Sequence, residues 1–132
     1  MTDPTRVLPI VMLVSLPTVM YGGHALLHRV IKGGSSELQV QMFRAGHAHA
    51  GVLLILALVY DVYLARTGFS NPVRGLLNGV LGIGVLAQCG GFFIHMAVGE
   101  PGKPSIGTTV TRVGAVLLAA AMLALAYGLA TA

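Results

Sequence analysis

The sequence predicts an all-α membrane protein in which four transmembrane helices form an up-down-up-down antiparallel bundle, as a single domain over residues 1–132. Of the 132 residues, 55% are hydrophobic and only 9% are charged. The mean hydropathy is +0.83, which is typical of a chain that lives in a bilayer. Short connections between the apolar runs force neighbouring helices to run antiparallel.

Each apolar run has about the 20 residues that a helix needs to cross roughly 30 Å of hydrocarbon. The first run is too long for the apolar core of a signal peptide and no cleavage pattern follows it, so it predicts a span. Connectors rich in Gly, Pro and Ser at residues 32–39, 66–75 and 99–107 separate the runs. The predicted spans are residues 8–31, 45–65, 76–98 and 108–130.

The charge pattern places the protein in a membrane and gives no sign of a nucleic-acid partner. The formal net charge of +4 is modest and spread over the ends of the spans, as expected beside anionic lipid. The predicted partner is therefore the lipid bilayer. With the resemblance of residues 43–54 to a bacterial family described below, the predicted location is a bacterial cytoplasmic membrane. Cys89 is the single cysteine, which excludes a disulfide within the chain.

The membrane orientation has two opposing interpretations. One end of the predicted bundle carries five basic residues and the other carries three, which places the first end in the cytoplasm. If the three arginines at the first end belong to a site and are left out of the count, two basic residues remain there against three at the other end. The first end then lies outside the cytoplasm. We favour the second interpretation, with both termini in the cytoplasm. The two sets are Arg29, Lys32, Arg44, Lys103 and Arg112 against Arg6, Arg66 and Arg74.

All five histidines are predicted to lie in one layer near one membrane face. In an alternating bundle, the end of the first span, the start of the second and the end of the third share one side. Ionisable residues inside transmembrane segments are costly and usually mark a functional site that faces the bundle interior. The histidines of this layer are His24, His28, His47, His49 and His95.

Helical spacing distinguishes these histidines. His24 and His28 are four residues apart and so share one helix face. His47 and His49 diverge by about 200°, so one can face the bundle core while the other faces a neighbouring helix. We expect His47 to be the inward one, because Gly51 follows it by one turn.

The third span carries a narrow stripe that has two interpretations. Its residues are Gly84, Gln88, Gly91 and His95, which follow steps of four, three and four. Small residues at this spacing commonly allow close helix packing in membranes. Alternatively, the stripe is a flat slot beneath a histidine, as a planar macrocycle would require.

Two cofactor chemistries fit the layer. Haem b would take one histidine from each of two facing helices, with Gln88, Tyr21 or a backbone carbonyl holding the second ring nitrogen. Copper or zinc would instead gather three or four histidines, with Met20 or Met96 as a further ligand. A layer without metal, as a proton relay or polar core, is the third option. The first haem-ligand candidates are His24 and His47, then His95 and His28; the metal candidates are His24, His47 and His95; Arg29, Arg44 and Arg112 are candidates for the propionates.

The stretch FRAGHAHAGVLL, residues 43–54, resembles a helix of small four-span bacterial membrane proteins that are themselves similar to a fragment of haem-copper oxidase subunit I. The family pattern is an Ala-His-x-His run before a Leu-rich helix, with a further His near the end of the next span, which His95 matches. Gly51 and the extra pair His24 and His28 depart from it. The resemblance implies a haem-associated or metal-associated membrane protein, in electron transfer or in sensing a small ligand.

Two other classes remain as alternatives. RAGHAHAG, residues 44–51, is similar to the second helix of four-span enzymes of eicosanoid and glutathione metabolism, but it lacks their Asn and acidic residue. A non-catalytic subunit or assembly partner of a larger membrane complex is predicted if the Gly and Ala seam of the fourth span faces outward. A homodimer is a further prediction, because four short helices often leave a seam to cover. No combination of nucleophile, base and orienting residue indicates enzymatic turnover.

Overall fold

The computed structural model describes residues 6–132, and within them it contains four α-helices and no strand. All four helices are long and apolar enough to cross a membrane, which confirms the predicted fold class. At 1.5 Å per residue, helices of 25–28 residues measure roughly 37–42 Å and extend beyond the hydrocarbon at their ends. The helices are α1 (Val7–Lys32), α2 (Glu37–Leu64), α3 (Asn71–Val98) and α4 (Ile106–Ala130).

Capping residues start two of the helices and shorten the predicted connectors. Ser36 accepts a hydrogen bond from the Gln39 backbone N–H, and the Gln39 side chain accepts one from the Ser36 N–H. α2 therefore begins eight residues before the predicted span, inside the segment assigned to a connector. Gly33, with φ of 69°, ends α1. Ser105 and Thr108 form the equivalent capping box on α4.

The closest packing in the bundle joins α3 to α4 through small residues. α4 buries a row at heptad spacing, Gly107, Gly114, Ala121 and Gly128. A methyl group on Gly114 would overlap the backbone of Gln88, and one on Gly91 would overlap the backbone of α4. The stripe on α3 is thus a packing seam closed by α4, and the predicted flat slot is wrong. The Gly and Ala residues of this row on α4 therefore pack inside the bundle and do not face outward.

Helix contacts pair residues in opposite order along the chain, as antiparallel neighbours do. Gly46 of α2 lies against Phe93 of α3, and near the other end of the same helices Asp61 accepts a hydrogen bond from Asn78. The core of α2 and α3 includes Leu54, Tyr60, Leu64 and Leu81, with Leu8 and Met12 of α1 packed on it. α1 is the least covered helix and packs mainly on α2. The histidines consequently lie around a central pair of helices, α2 and α3.

Candidate imidazole site at one end of the bundle

The histidines lie at the end of the bundle where α1 ends, α2 begins and α3 ends. His24 and His28 are exposed on α1, whereas His47, His49 and His95 are each partly buried. The three partly buried rings face three different neighbours. The three rings therefore differ in the helix that covers them and in their hydrogen-bond partners.

His47 faces α1. Its ring lies across the backbone of Gly22 and Gly23, so that a methyl group on Gly23 would come within 3.0 Å of the His47 Nε2. The absence of side chains at these two glycines makes room for the imidazole. His47 therefore faces a neighbouring helix, α1, which covers its ring, and the core-facing orientation expected for it is not seen.

His49 faces α3. Its Nδ1 lies 2.8 Å from the carbonyl oxygen of Ala45, one turn earlier in α2. Because a carbonyl only accepts, Nδ1 carries the proton of the neutral ring and Nε2 carries the lone pair. The ring packs on Phe92, with 4.8 Å between the ring centroids. His49 is thus oriented by its own helix and covered by an aromatic side chain.

His95 faces the start of α4. Its Nδ1 lies 2.7 Å from the Ser105 Oγ, the atom that also accepts the backbone N–H of Gly107. When the ring carries its proton on Nδ1, it donates to Ser105 and leaves the Nε2 lone pair free. A hydrogen-bond partner on the second ring nitrogen orients a metal-ligating histidine, and the Ser105 hydroxyl is a partner that can either accept from Nδ1 or donate to it. His49 and His95 are thus the two histidines whose Nδ1 is held by a hydrogen-bond partner within residues 6–132.

Two cavities adjoin His95, and both are lined by His95 and Met42. The first, of about 250 Å³, lies among α2, α3 and α4 and is also lined by Phe92, Thr111 and Arg112. The second, of about 410 Å³, opens beneath the connector between α3 and α4, with Glu37 in its lining. Together they give His95 access to space on two sides, which His47 lacks.

The remaining predicted site residues are more dispersed. Arg29 and Arg44 are exposed, and Arg112 is exposed at the rim of the first cavity. Gln88 is partly buried and its Oε1 has no hydrogen-bond partner within residues 6–132. The second ring nitrogen of His95 is held by Ser105, and that of His49 by a backbone carbonyl. The backbone carbonyl is one of the three partners that the sequence analysis named, whereas neither nitrogen uses Gln88 or Tyr21.

The predicted three-histidine metal set does not assemble. Within the described chain, no group of three or more His, Cys, Asp or Glu side chains is placed to hold a metal ion. The physical reason is that His47 packs on α1 while His95 packs on α4, on opposite sides of the central helices. A copper or zinc site made only of His24, His47 and His95 has no support in this arrangement.

Met42 is the residue near His95 that sequence reasoning missed. The predicted connector ended at residue 39 and the predicted second span began at residue 45, so Met42 was assigned to neither. The capping signal at Ser36 and Gln39 was present in the sequence and would have placed Met42 on the helix. Met42 lines both cavities together with His95.

No family model matches this chain, and no curated protein or solved structure is significantly similar to it. The resemblance of FRAGHAHAGVLL to the oxidase-like family stays a prediction.

Proposed function

We propose that this integral membrane protein binds haem b near one membrane face, with His95 as the axial ligand, and serves electron transfer or the sensing of a small ligand. The observation that carries the proposal is the placement of His95: a partly buried imidazole, held at Nδ1 by Ser105, between two cavities. His47 and His24, the first candidates from the sequence, are less suited because His47 is covered by α1 and His24 is exposed.

The side chains around His95 fit the chemical needs of haem. If haem binds here, the His95 imidazole would offer one ligand, and Met42, which lines the same cavities, carries a thioether that would offer a second. Arg112, at the rim of the first cavity, offers a cation for a propionate. Phe92 lines the first cavity and would offer an aromatic surface to the group.

The coordination state separates the two roles within this proposal. When bound, haem supplies one-electron chemistry, and its axial ligands tune the reduction potential. Ligation by both His95 and Met42 favours electron transfer, whereas ligation by His95 alone leaves a position open for a small gas. The sharpness of the reduced absorption bands reports which state is present.

The test is an absorption spectrum of the full-length protein, purified from a haem-competent host, oxidised and dithionite-reduced, with elemental analysis of the same sample. We expect a Soret band, α and β bands on reduction, and about one haem iron per chain. Copper or zinc at one per chain without a Soret band would replace haem by a metal ion. A sample with neither signal after haem supplementation would overturn the proposal.

The exposed apolar surface of α1 favours the alternative of a non-catalytic subunit. Apart from residues such as Leu8 and Met12, which pack on the core, many of its apolar side chains are exposed, with Val14, Met20 and Ile31 each at least 69% exposed. A second copy or another membrane protein could cover this helix without changing α2, α3 or α4. Crosslinking from cysteines placed at Val14 and Met20, in a chain with Cys89→Ala, tests this alternative independently of cofactor content.

A further inference from the structure

Two histidines near the end of α1, His24 and His28, take no part in the imidazole site around His95. Both are exposed on the surface of α1, whereas Gly22 and Gly23 of the same helix lie against His47 of α2. His24 and His28 are four residues apart in a continuous α-helix, so their side chains share one face, one turn apart. The two imidazoles therefore form a pair that faces outward from the bundle.

The pair lies at the edge of the hydrocarbon. A helix rises 1.5 Å per residue, so about 20 residues cross roughly 30 Å. Counted from Val7, the first residue of α1, this length ends at Leu27. His28 thus lies at the membrane surface and His24 one turn deeper. Ionisable side chains at such depth usually face the bundle interior, where they find polar partners, but His24 faces outward.

Neither ring is engaged by the rest of the described chain. The histidine rings that form hydrogen bonds within residues 6–132 are those of His49 and His95. His24 has Tyr21 beside it, with 6.3 Å between the ring centroids, and Tyr21 is itself 71% exposed. The ring nitrogens of His24 and His28 are thus free to bind a partner from outside the bundle.

The chemistry of the pair selects a metal ion. Two histidines at positions i and i+4 of a helix are the arrangement with which helices chelate zinc. Neutral imidazole suits zinc, copper and nickel, whereas magnesium and calcium prefer carboxylate oxygens. The sequence of α1 contains no acidic residue. The pair therefore favours a late divalent transition metal, and copper(II) forms the most stable complexes of that series.

The charges at this end of α1 act in both directions. Arg29 and Lys32 are exposed in its last turn, and they repel a cation. Because both charges lie in water, salt screens this repulsion. The carboxyl-terminal end of a helix carries partial negative charge, which attracts a cation. The ligand nitrogens, and not the local charge, thus decide whether an ion binds.

We propose that His24 and His28 form a bidentate site for a late divalent transition metal ion on the outward face of α1. Each imidazole binds the ion through the lone pair of one ring nitrogen. Within the described chain no third His, Cys, Asp or Glu side chain joins the pair. Water fills the remaining positions, so the ion is exchangeable. The site is separate from the haem proposed at His95 and does not depend on it.

Copper(II) is the probe, because its electron paramagnetic resonance spectrum reports how many imidazole nitrogens bind it. Full-length protein in phosphatidylcholine nanodiscs is stripped of metal with EDTA and then titrated. His24→Gln and His28→Gln each remove one ligand and keep a polar side chain. The matched control combines His28→Gln with Arg29→His, which restores the number of histidines and removes one positive charge, but sets the two rings about 140° apart. His95→Ala is titrated in parallel.

The expected result is about one copper(II) per chain, bound by two imidazoles, in the wild-type protein and in His95→Ala. We expect the affinity to fall about 10-fold or more in both Gln variants and in the spacing control, because the helix no longer holds a second imidazole at high effective concentration. Two bound imidazoles in the spacing control, or unchanged binding in the Gln variants, would overturn the proposal. Loss of the copper signal in His95→Ala alone would assign the ion to the other site and overturn it as well. Haem content is not a readout, so a failure of the haem proposal leaves this test intact.

Discussion

The backbone of Gly99 lies directly against the imidazole ring of His95, one turn earlier in α3, and leaves no room there for a methyl group. The Gly99 N–H also donates to the His95 carbonyl over 2.7 Å, which fixes the glycine in place at the end of the helix. The ring is thereby held between Gly99 and Ser105. The position of this imidazole is thus set by one glycine and one hydroxyl.

Gly99→Ala is expected to push the His95 ring away from Ser105 and to reduce haem content severalfold. The added methyl group overlaps the ring, so the side chain must rotate. Gly90→Ala is the matched control on the same helix, because a methyl group there meets open space. Haem per chain, measured by pyridine haemochrome, checks the prediction. Equal haem content in the two variants would show that the ring position is unimportant.

Ser105→Ala is expected to weaken haem binding by about 10-fold to 100-fold, the usual effect of removing an outer-shell partner of a ligating histidine. The variant also loses a helix cap, which costs about 1 kcal/mol. Ser36→Ala removes the corresponding cap from α2 without touching a histidine. Haem titration of both variants separates the two effects. Similar losses in both would assign the role of Ser105 to capping alone.

Gly114→Ala is expected to destabilise the protein by about 1–3 kcal/mol, the usual cost of overpacking a filled interior. The new methyl group overlaps the Gln88 backbone, which cannot move without separating α3 from α4. Gly79→Ala adds the same group to α3 in open space and serves as the control. The free energy of unfolding in mixed micelles is the measurement. Destabilisation by Gly79→Ala alone would contradict the packing described.

Tyr60→Phe is expected to cost about 0.6 kcal/mol, the average for a hydrogen bond between membrane helices. The Tyr60 hydroxyl is buried and donates to the Ala121 carbonyl over 3.2 Å, and it is a direct polar link between α2 and α4. Tyr127→Phe, at a side chain that is 66% exposed, is the control. The same unfolding assay compares them. Equal stability of Tyr60→Phe and the wild-type protein would mean that this bond contributes nothing.

The fold was predictable from the sequence because apolar length and turn chemistry determine where a helix can cross a bilayer. The grouping of the histidines at one end followed from the short connectors. The direction of each ring did not, because it depends on which glycine faces it: Gly22 and Gly23 receive His47, and Gly99 bounds His95. Hydropathy alone also does not predict the first turns of α2, because the helix begins with polar residues such as Glu37 and Gln39, which lie outside the hydrocarbon.

A polar cluster at the opposite end of the bundle, made of Asp61, Asn78 and Arg74, shows the same limit. Asp61 is an ordinary interfacial acid when α2 is considered by itself. Only helix packing brings Asn78 and Arg74 to it, and the three then line a small cavity. Pairing between helices, which one sequence does not reveal, decides which polar residues act together.

The measurement that tests the central claim most directly is the haem content and reduced spectrum of full-length His95→Ala beside His28→Ala and His47→Ala. His28 is exposed on α1, and His47 packs on the backbone of α1. If His95 is the axial ligand, His95→Ala loses the Soret band while the other two variants keep haem near the wild-type level. Full haem in His95→Ala, or its loss in His47→Ala alone, would contradict the assignment and return the ligand to α2.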